Sequence, residues 1–353
     1  MSKKLIALVI VLCVIFSWVF EVFAGRFLVA KISTWPMLNR LKILSPQAPI
    51  VITYRETIRV SDSGDAPQAA AQVKSKISLV VSAQSGSVLA EGAAVNLTSD
   101  GVFVTAASVF GKNLKDAYVL LNDGRSASID SFAVDPATKL AFFKAKLDRV
   151  PTANLGASAD LKPGEKILFV ESSMQNYFAK TVSASVNSSQ TDIAGQEFES
   201  DMPGRSFTTG VLEALVKGQA VVNGGGEVVG VWNGGAIISS DVLKQAINLY
   251  LQNPQKMVRP SFGFSYAAIS ENESRLGGMP QGLLVKSVVP GGQARGAGLA
   301  VGDIITEFNG QKISEMQQPE EVFQKYKPGD KIKLSVARGK QVISLTLTAA
   351  ELK

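Results

Sequence analysis

The chain holds no histidine in its 353 residues and a single cysteine, Cys13. A serine–histidine–aspartate or cysteine–histidine relay needs an imidazole to take and return a proton, so neither can be completed by this chain alone. Zinc sites, which usually recruit histidine or several thiolates, are disfavoured on the same ground. One cysteine closes no intramolecular disulfide. Charge of one sign is also missing as a block. The 36 basic and 30 acidic residues leave a formal charge of +6, and the basic residues are scattered, so no nucleic-acid partner is expected. Gly224-Gly225-Gly226 lacks the lysine and hydroxyl residue of a phosphate loop and reads as a tight hairpin turn. No metal or cofactor is expected.

What is present is apolar: 46% of residues are hydrophobic and 19% charged, enough for a sizeable core spread over two or three domains. Lys3 and Lys4 precede a nearly unbroken apolar run at residues 5–20, followed by Glu21, Val22 and Phe23. The run is slightly short of the ~20 residues that span a bilayer. With its flanks it is read as an uncleaved transmembrane helix; a signal peptide cleaved after Ala24 is the alternative. Both carry the remainder across a membrane. Arg26 and Lys31 balance Lys3 and Lys4, so the flanks set no orientation. Residues 25–75 read as a linker, broken at Ser45-Pro46-Gln47-Ala48-Pro49 and loose over 61–72.

From residue 76 the pattern turns to short strands. Those at 77–81, 92–97 and 102–105 come first, the last two joined through Ser99-Asp100-Gly101. Strands at 118–121 and 126–134 flank Asn122-Asp123-Gly124, and Asp-Gly between such runs is a hairpin signal. A second series follows at 166–170, 180–186, 210–215, 221–222 and 228–232. This spacing predicts an all-β barrel or sandwich. A helix is expected over 240–252, capped by Ser240 or Asp241. Asn96, Asn187 and Asn272 open glycosylation sequons, which are commonplace.

Phrases in this span resemble those of the HtrA (Deg) family of PDZ-bearing serine proteases. Residues 215–230, LVKGQAVVNGGGEVVG, align with G-N-S-G-G-P-L-V-N-x-x-G-E-V-I-G. Asp100-Gly101-Val102-Phe103-Val104-Thr105-Ala106-Ala107 resembles D-G-Y-I-L-T-N-N, and Asp135-Pro136-Ala137-Thr138-Lys139-Leu140-Ala141 resembles D-P-x-T-D-L-A. The resemblance implies a trypsin-like double β-barrel over 76–253. It also places Ser108, Lys139 and Lys217 where the family has its catalytic histidine, aspartate and serine. Beyond residue 258, Ser261-Phe262-Gly263-Phe264 resembles the Y-L-G-I loop. With Ala297-Gly298-Leu299 and Gly302-Asp303-Ile304-Ile305 it implies a PDZ domain over 258–353, with a groove helix at 319–326.

The expected architecture is therefore mostly β, with an N-terminal transmembrane segment. The expected function is that of a membrane-tethered, extracytoplasmic pseudoprotease. Its PDZ groove is expected at Ser261, Phe262, Gly263, Phe264, Ser265 and Tyr266, with a bound peptide added as a strand and its terminal carboxylate held by backbone donors. The other reading of Phe262 and Phe264 is as core residues. Expected partners are protein or peptide C-termini, with the family's trimers or assemblies with active relatives implied by the resemblance. Two alternatives stand beside this: a residual Ser-Lys endopeptidase built on Ser108 and a lysine of lowered pKa, and a purely structural envelope protein.

Overall fold

A computed structural model describes residues 66–353, apart from 85–86, 111–115, 130, 173–179, 189–196, 205–206, 211–214 and 316–318. The apolar run at 5–20 and the connector up to residue 65 lie outside the described residues. Among the described residues no helix is long and apolar enough to cross a membrane.

Helix α1 (Ala66–Lys74) leads into β1 (Ile77–Gln84), β2 (Ser87–Asn96), β3 (Val102–Ala106), β4 (Asp116–Leu120), β5 (Ser126–Ser128), β6 (Phe132–Val134) and β7 (Leu140–Lys144). These strands form one antiparallel sheet in the order β5-β4-β1-β2-β3-β7-β6. The second series is β8 (Lys166–Glu171), β9 (Lys180–Ser188), β10 (Phe198–Glu199), β11 (Thr208–Thr209), β12 (Ala220–Asn223), β13 (Val228–Trp232) and β14 (Ile237–Ser239), closed by α2 (Ser240–Gln252). Its sheet runs β11-β9-β8-β12-β13-β14, so β10 leaves it.

The central strands read as continuous apolar runs because both of their faces are covered. Phe103 packs with Phe143, Val80 and Phe110 inside the first sheet. Its neighbours Val102 and Val104 join Val170, Val222, Leu243 and Tyr250 in a core shared by the two sheets. Val221 and Val229 turn the other way, onto Phe169 and Phe207. The expected linker is corrected here. Residues 66–74 are helical, not loose, because Ala69 and Val73 are driven into that shared core. Asn96 is fully buried, accepts a hydrogen bond from Ser78 Oγ at 2.7 Å and donates to the Pro151 carbonyl at 3.0 Å, so its sequon is sealed in the folded state.

Two further boundaries differ from expectation. The α2 cap is Ser239, whose hydroxyl accepts from the Val242 N–H. The run 126–134 is two strands, β5 and β6, on opposite edges of the sheet. The strand expected at 210–215 falls mainly on residues 211–214, which lie outside the described residues; the described strand before it is β11 at Thr208–Thr209.

The last module contains β15 (Pro260–Ser261), β16 (Phe264–Ile269), α3 (Glu271–Gly277), β17 (Gly282–Val288), α4 (Gln293–Gly296), β18 (Ile304–Phe308), β19 (Gln311–Lys312), α5 (Pro319–Phe323), β20 (Lys331–Arg338), β21 (Gln341–Thr348) and β22 (Ala350–Glu351). Its sheet runs β10-β16-β17-β18-β20-β21, with β19 on β18. Helix α5 ends at Phe323, short of the expected 326. A buried ion pair ties this module to the first sheet: the Arg259 guanidinium donates to Asp135 through Nε at 2.9 Å and Nη2 at 2.6 Å, and through Nη1 to Gln324 at 3.1 Å. Arg259 is 1% and Asp135 0% exposed.

Candidate functional site

The three positions matched to a catalytic triad lie on backbone that does converge. Ser108 sits in the one-turn 3₁₀ helix after β3 and is exposed. The N–H of Ala107, one residue earlier, donates to the Lys139 carbonyl at 2.9 Å. The Lys217 carbonyl accepts from the Ala93 N–H at 2.9 Å. Gly92 closes the arrangement: a Cβ there would come within 2.5 Å of Val109 and 2.7 Å of the Lys217 carbonyl. Asn233 bridges the two sheets beside them, donating to the Thr138 carbonyl at 2.7 Å.

Lys139 is exposed and adopts φ 56°, left-handed backbone that few side chains favour. It is held there by its N–H to the Asp135 carbonyl at 2.9 Å. The aspartate of the motif tolerates that region better than lysine does, because its short polar side chain can bond locally.

Lys217 projects from a turn closed by the Gln219 N–H on the Val216 carbonyl at 3.1 Å, with Gly218 at φ 75°. Gln219 is fully buried, and its Oε1 accepts the Val216 N–H at 3.0 Å. A side-chain amide therefore occupies a backbone donor within the very loop where the family motif has glycines. Both lysines are solvent-exposed, which favours solvated charges over a buried Ser-Lys pair. Among the described residues there is no cluster of three or more histidine, cysteine, aspartate or glutamate side chains suited to a metal ion.

The second site is the 261–266 strand. The carbonyls of Phe262 and Gly263 are taken by the N–H groups of Ala294 and Val289, both at 2.9 Å. That leaves the amides of Phe262, Gly263 and Phe264 aimed outward from one turn. Gly263 has φ 77°, while a Cβ there would meet nothing closer than 3.6 Å. The glycine is thus required by its backbone angle and not by crowding from the neighbouring protein atoms. Phe262, Phe264 and Tyr266 are fully buried and pack around Phe323 of α5. The Tyr266 hydroxyl donates to the buried Glu320 at 2.7 Å. These three side chains are core; the polar groups of the stretch are its backbone and its two serines.

Something already lies along that backbone. Strand β10, from the β9–β11 connection of the second sheet, pairs antiparallel with β16, Phe198 opposite Tyr266 and Glu199 opposite Ser265. The Ser200 N–H donates to the Phe264 carbonyl at 2.9 Å, and the Ser200 hydroxyl accepts from the Phe264 N–H at 3.2 Å. Asp201 Oδ1 accepts from the amides of Phe262 at 2.6 Å and Gly263 at 3.2 Å, and Oδ2 from the Ser261 hydroxyl at 2.6 Å. Ser265 bonds Glu197 and Ser287. Burial pushes the Glu199 carboxyl above its ordinary pKa, with the charges of Glu197 and Asp201 pushing the same way. The sequence gives no local signal for this pairing: the stretch is short and acidic, and its partners are more than 60 residues away.

Two domain families match the chain, a trypsin-like peptidase domain over residues 92–231 and a PDZ domain over 260–348. Among solved structures, the HtrA-type protease AlgW with a tripeptide superposes with TM-score 0.61 at 21% identity, over 81% of this chain and 96% of that one. The serine endoprotease from Yersinia pestis superposes with TM-score 0.55 at 19% identity, over 84% and 100%. These likenesses establish a trypsin-like peptidase fold followed by a PDZ domain.

By sequence, the chain is similar to probable periplasmic DegP-like serine endoproteases. The relative from Marinomonas sp. is 32% identical over 248 residues, 66% of this chain and 51% of that protein. The relative from Halomonas elongata is 26% identical over 283 residues, 74% and 56%. The chain belongs to the HtrA-type protease family. It spans little more than half the length of these curated relatives.

Proposed function

We propose that this chain is a pseudoprotease: an HtrA-type scaffold that binds peptides or partner proteins through its PDZ groove and does not cleave them. The observation that carries this reading is the combination of Ser108, Lys139 and Lys217 at the three triad positions with the absence of histidine throughout the chain. It departs from the relatives, which are named as endoproteases. In a triad serine protease of another fold, losing the triad costs about 10⁶ in kcat, leaving about 10³–10⁴ over the uncatalysed rate. Peptide binding is supported by the PDZ match and by the AlgW structure with a tripeptide. The periplasmic relatives and the apolar run at 5–20 favour an extracytoplasmic domain tethered to a membrane, serving as an adaptor, a quality-control factor or a regulator of active relatives.

The purified chain is expected to show no labelling by a fluorophosphonate probe and no turnover of unfolded casein. Stoichiometric labelling mapped to Ser108 by mass spectrometry would replace this reading with the Ser-Lys one. For the tether, the protein is expected to stay with membranes through a carbonate wash. A soluble mature form beginning at Gly25 would show the N-terminal run to be a cleaved signal.

A further inference from the structure

We propose that the PDZ groove is occupied by the chain's own segment 197–201, with the Asp201 side-chain carboxylate standing in for the C-terminal carboxylate of a ligand. This rests on the groove reading above and goes further: it names the competitor that any partner must displace, and the ligand chemistry the groove selects.

Each component of strand-addition recognition is filled from within. The strand is supplied by Phe198 and Glu199 on β16. The terminal acceptor is supplied by Asp201, which takes two consecutive backbone amides and one hydroxyl. An ionised acceptor on such donors makes charge-assisted bonds, stronger than neutral ones. The terminal side chain is supplied by Ser200, which is fully buried. Phe198 packs against Tyr266 with ring centroids 5.9 Å apart. A true C-terminus ends at this point, whereas the internal chain must turn away. It does so through the Met202 N–H on the Glu199 carbonyl at 3.2 Å. Past the turn, the chain runs back to the second sheet, where a Cβ on Gly204 would come within 2.6 Å of Val242 on α2.

The ligand this template describes has a free carboxylate, a small terminal side chain and an aromatic residue two positions earlier. It differs from the apolar terminal residue ordinarily expected for such grooves. Because the segment is tethered, it competes as an intramolecular ligand at high effective concentration. The apparent affinity for an outside peptide then falls in proportion to the fraction of time the groove stands open.

The test uses the full chain, with the hexapeptide Gly-Gln-Glu-Phe-Glu-Ser, copied from residues 195–200, bearing a free or an amidated C-terminus. Without peptide, hydrogen exchange at the Phe262 and Gly263 amides is expected to be slow in the wild type. It should be at least about tenfold faster in Asp201→Ala, because those amides lose their acceptor. Asp201→Asn, which keeps the shape and a neutral acceptor, should fall between. Equal exchange in all three would overturn internal occupancy. In titrations, Asp201→Ala is expected to bind the free-carboxylate peptide about tenfold or more tightly than the wild type does, with the amidated peptide bound more weakly. Unchanged affinity would overturn competition by the segment. If the exchange result holds and Asp201→Ala binds neither peptide, internal occupancy stands and the claim that the groove takes outside peptides of this chemistry falls.

Discussion

Replacing Arg259 with methionine is expected to lower the unfolding free energy by about 3–5 kcal/mol, the scale for breaking a buried ion pair by removing one partner. Three bonds from the guanidinium are lost together, two to Asp135 and one to Gln324. What remains is a carboxylate with no exposure, accepting the Ala137 N–H at 3.1 Å. An uncompensated charge in that setting is far worse than a pair that was never there. For the same reason Asp135→Leu alone should be nearly as damaging, since it strands the guanidinium. The double substitution, Arg259→Met with Asp135→Leu, should recover most of the loss, because an apolar pair of similar volume needs no desolvation of charge. Urea denaturation of the three variants gives the cycle. A loss below about 1 kcal/mol for Arg259→Met, the range of an exposed pair, would mean that water reaches the pair in solution.

This ion pair also bears on the candidate site. Asp135 is the first residue of the stretch that ends at Lys139, and its carbonyl holds the Lys139 N–H in the left-handed turn. The Lys139 carbonyl in turn holds the segment entering Ser108. Arg259 therefore fastens the start of the PDZ module to the backbone on which two of the three positions matched to the triad depend. The backbone frame that carries these positions is thus also what joins the two domains.

What was legible in the sequence follows from how local each signal is. Val102–Ala106, Ala220–Asn223 and Val228–Trp232 read as strands because both faces of each are covered by core, leaving unbroken apolar runs bounded by turn residues. Positions 108, 139 and 217 are matched to a triad by motif phrases in register, an alignment that rests on the sequence alone. Helix α1 is not legible, since Ala66–Lys74 has Val73 as its one apolar side chain larger than alanine and shows no clear apolar stripe; it is held by seating Ala69 and Val73 in a core built by residues far along the chain. Helix α3 escapes the reading even though Ser270 and Glu273 form a reciprocal capping box, a signal the sequence does carry. The pairing of Glu197–Asp201 with the 261–266 strand, and of Arg259 with Asp135 across 124 residues, are products of tertiary arrangement. No periodicity announces them.

Gly218→Ala is expected to destabilise the fold by about 3–5 kcal/mol, from two contributions that act at one atom. The first is conformational: at φ 75° an L side chain costs roughly 1–2 kcal/mol relative to glycine. The second is steric, worth about 1–3 kcal/mol or more when a packed interior is overfilled. The added Cβ would sit 1.9 Å from the Ala93 carbonyl oxygen and 2.4 Å from Thr105 Oγ1. Neither neighbour is free to give. Ala93 lies within the β1–β2–β3 sheet and its carbonyl already accepts the Thr105 hydroxyl at 2.7 Å. Ala93 also anchors the Lys217 carbonyl, so the strain falls on the loop that displays Lys217. Gly224, six residues on, is the internal control, because a Cβ there meets nothing within 4 Å and its φ is not left-handed. Gly224→Ala should change stability by no more than about 0.5 kcal/mol. Thermal melts of the two variants beside the wild type decide the matter. If both variants melt together, the turn at Lys217 is free to relax, and the rigid backbone convergence of Ser108, Lys139 and Lys217 does not persist in solution.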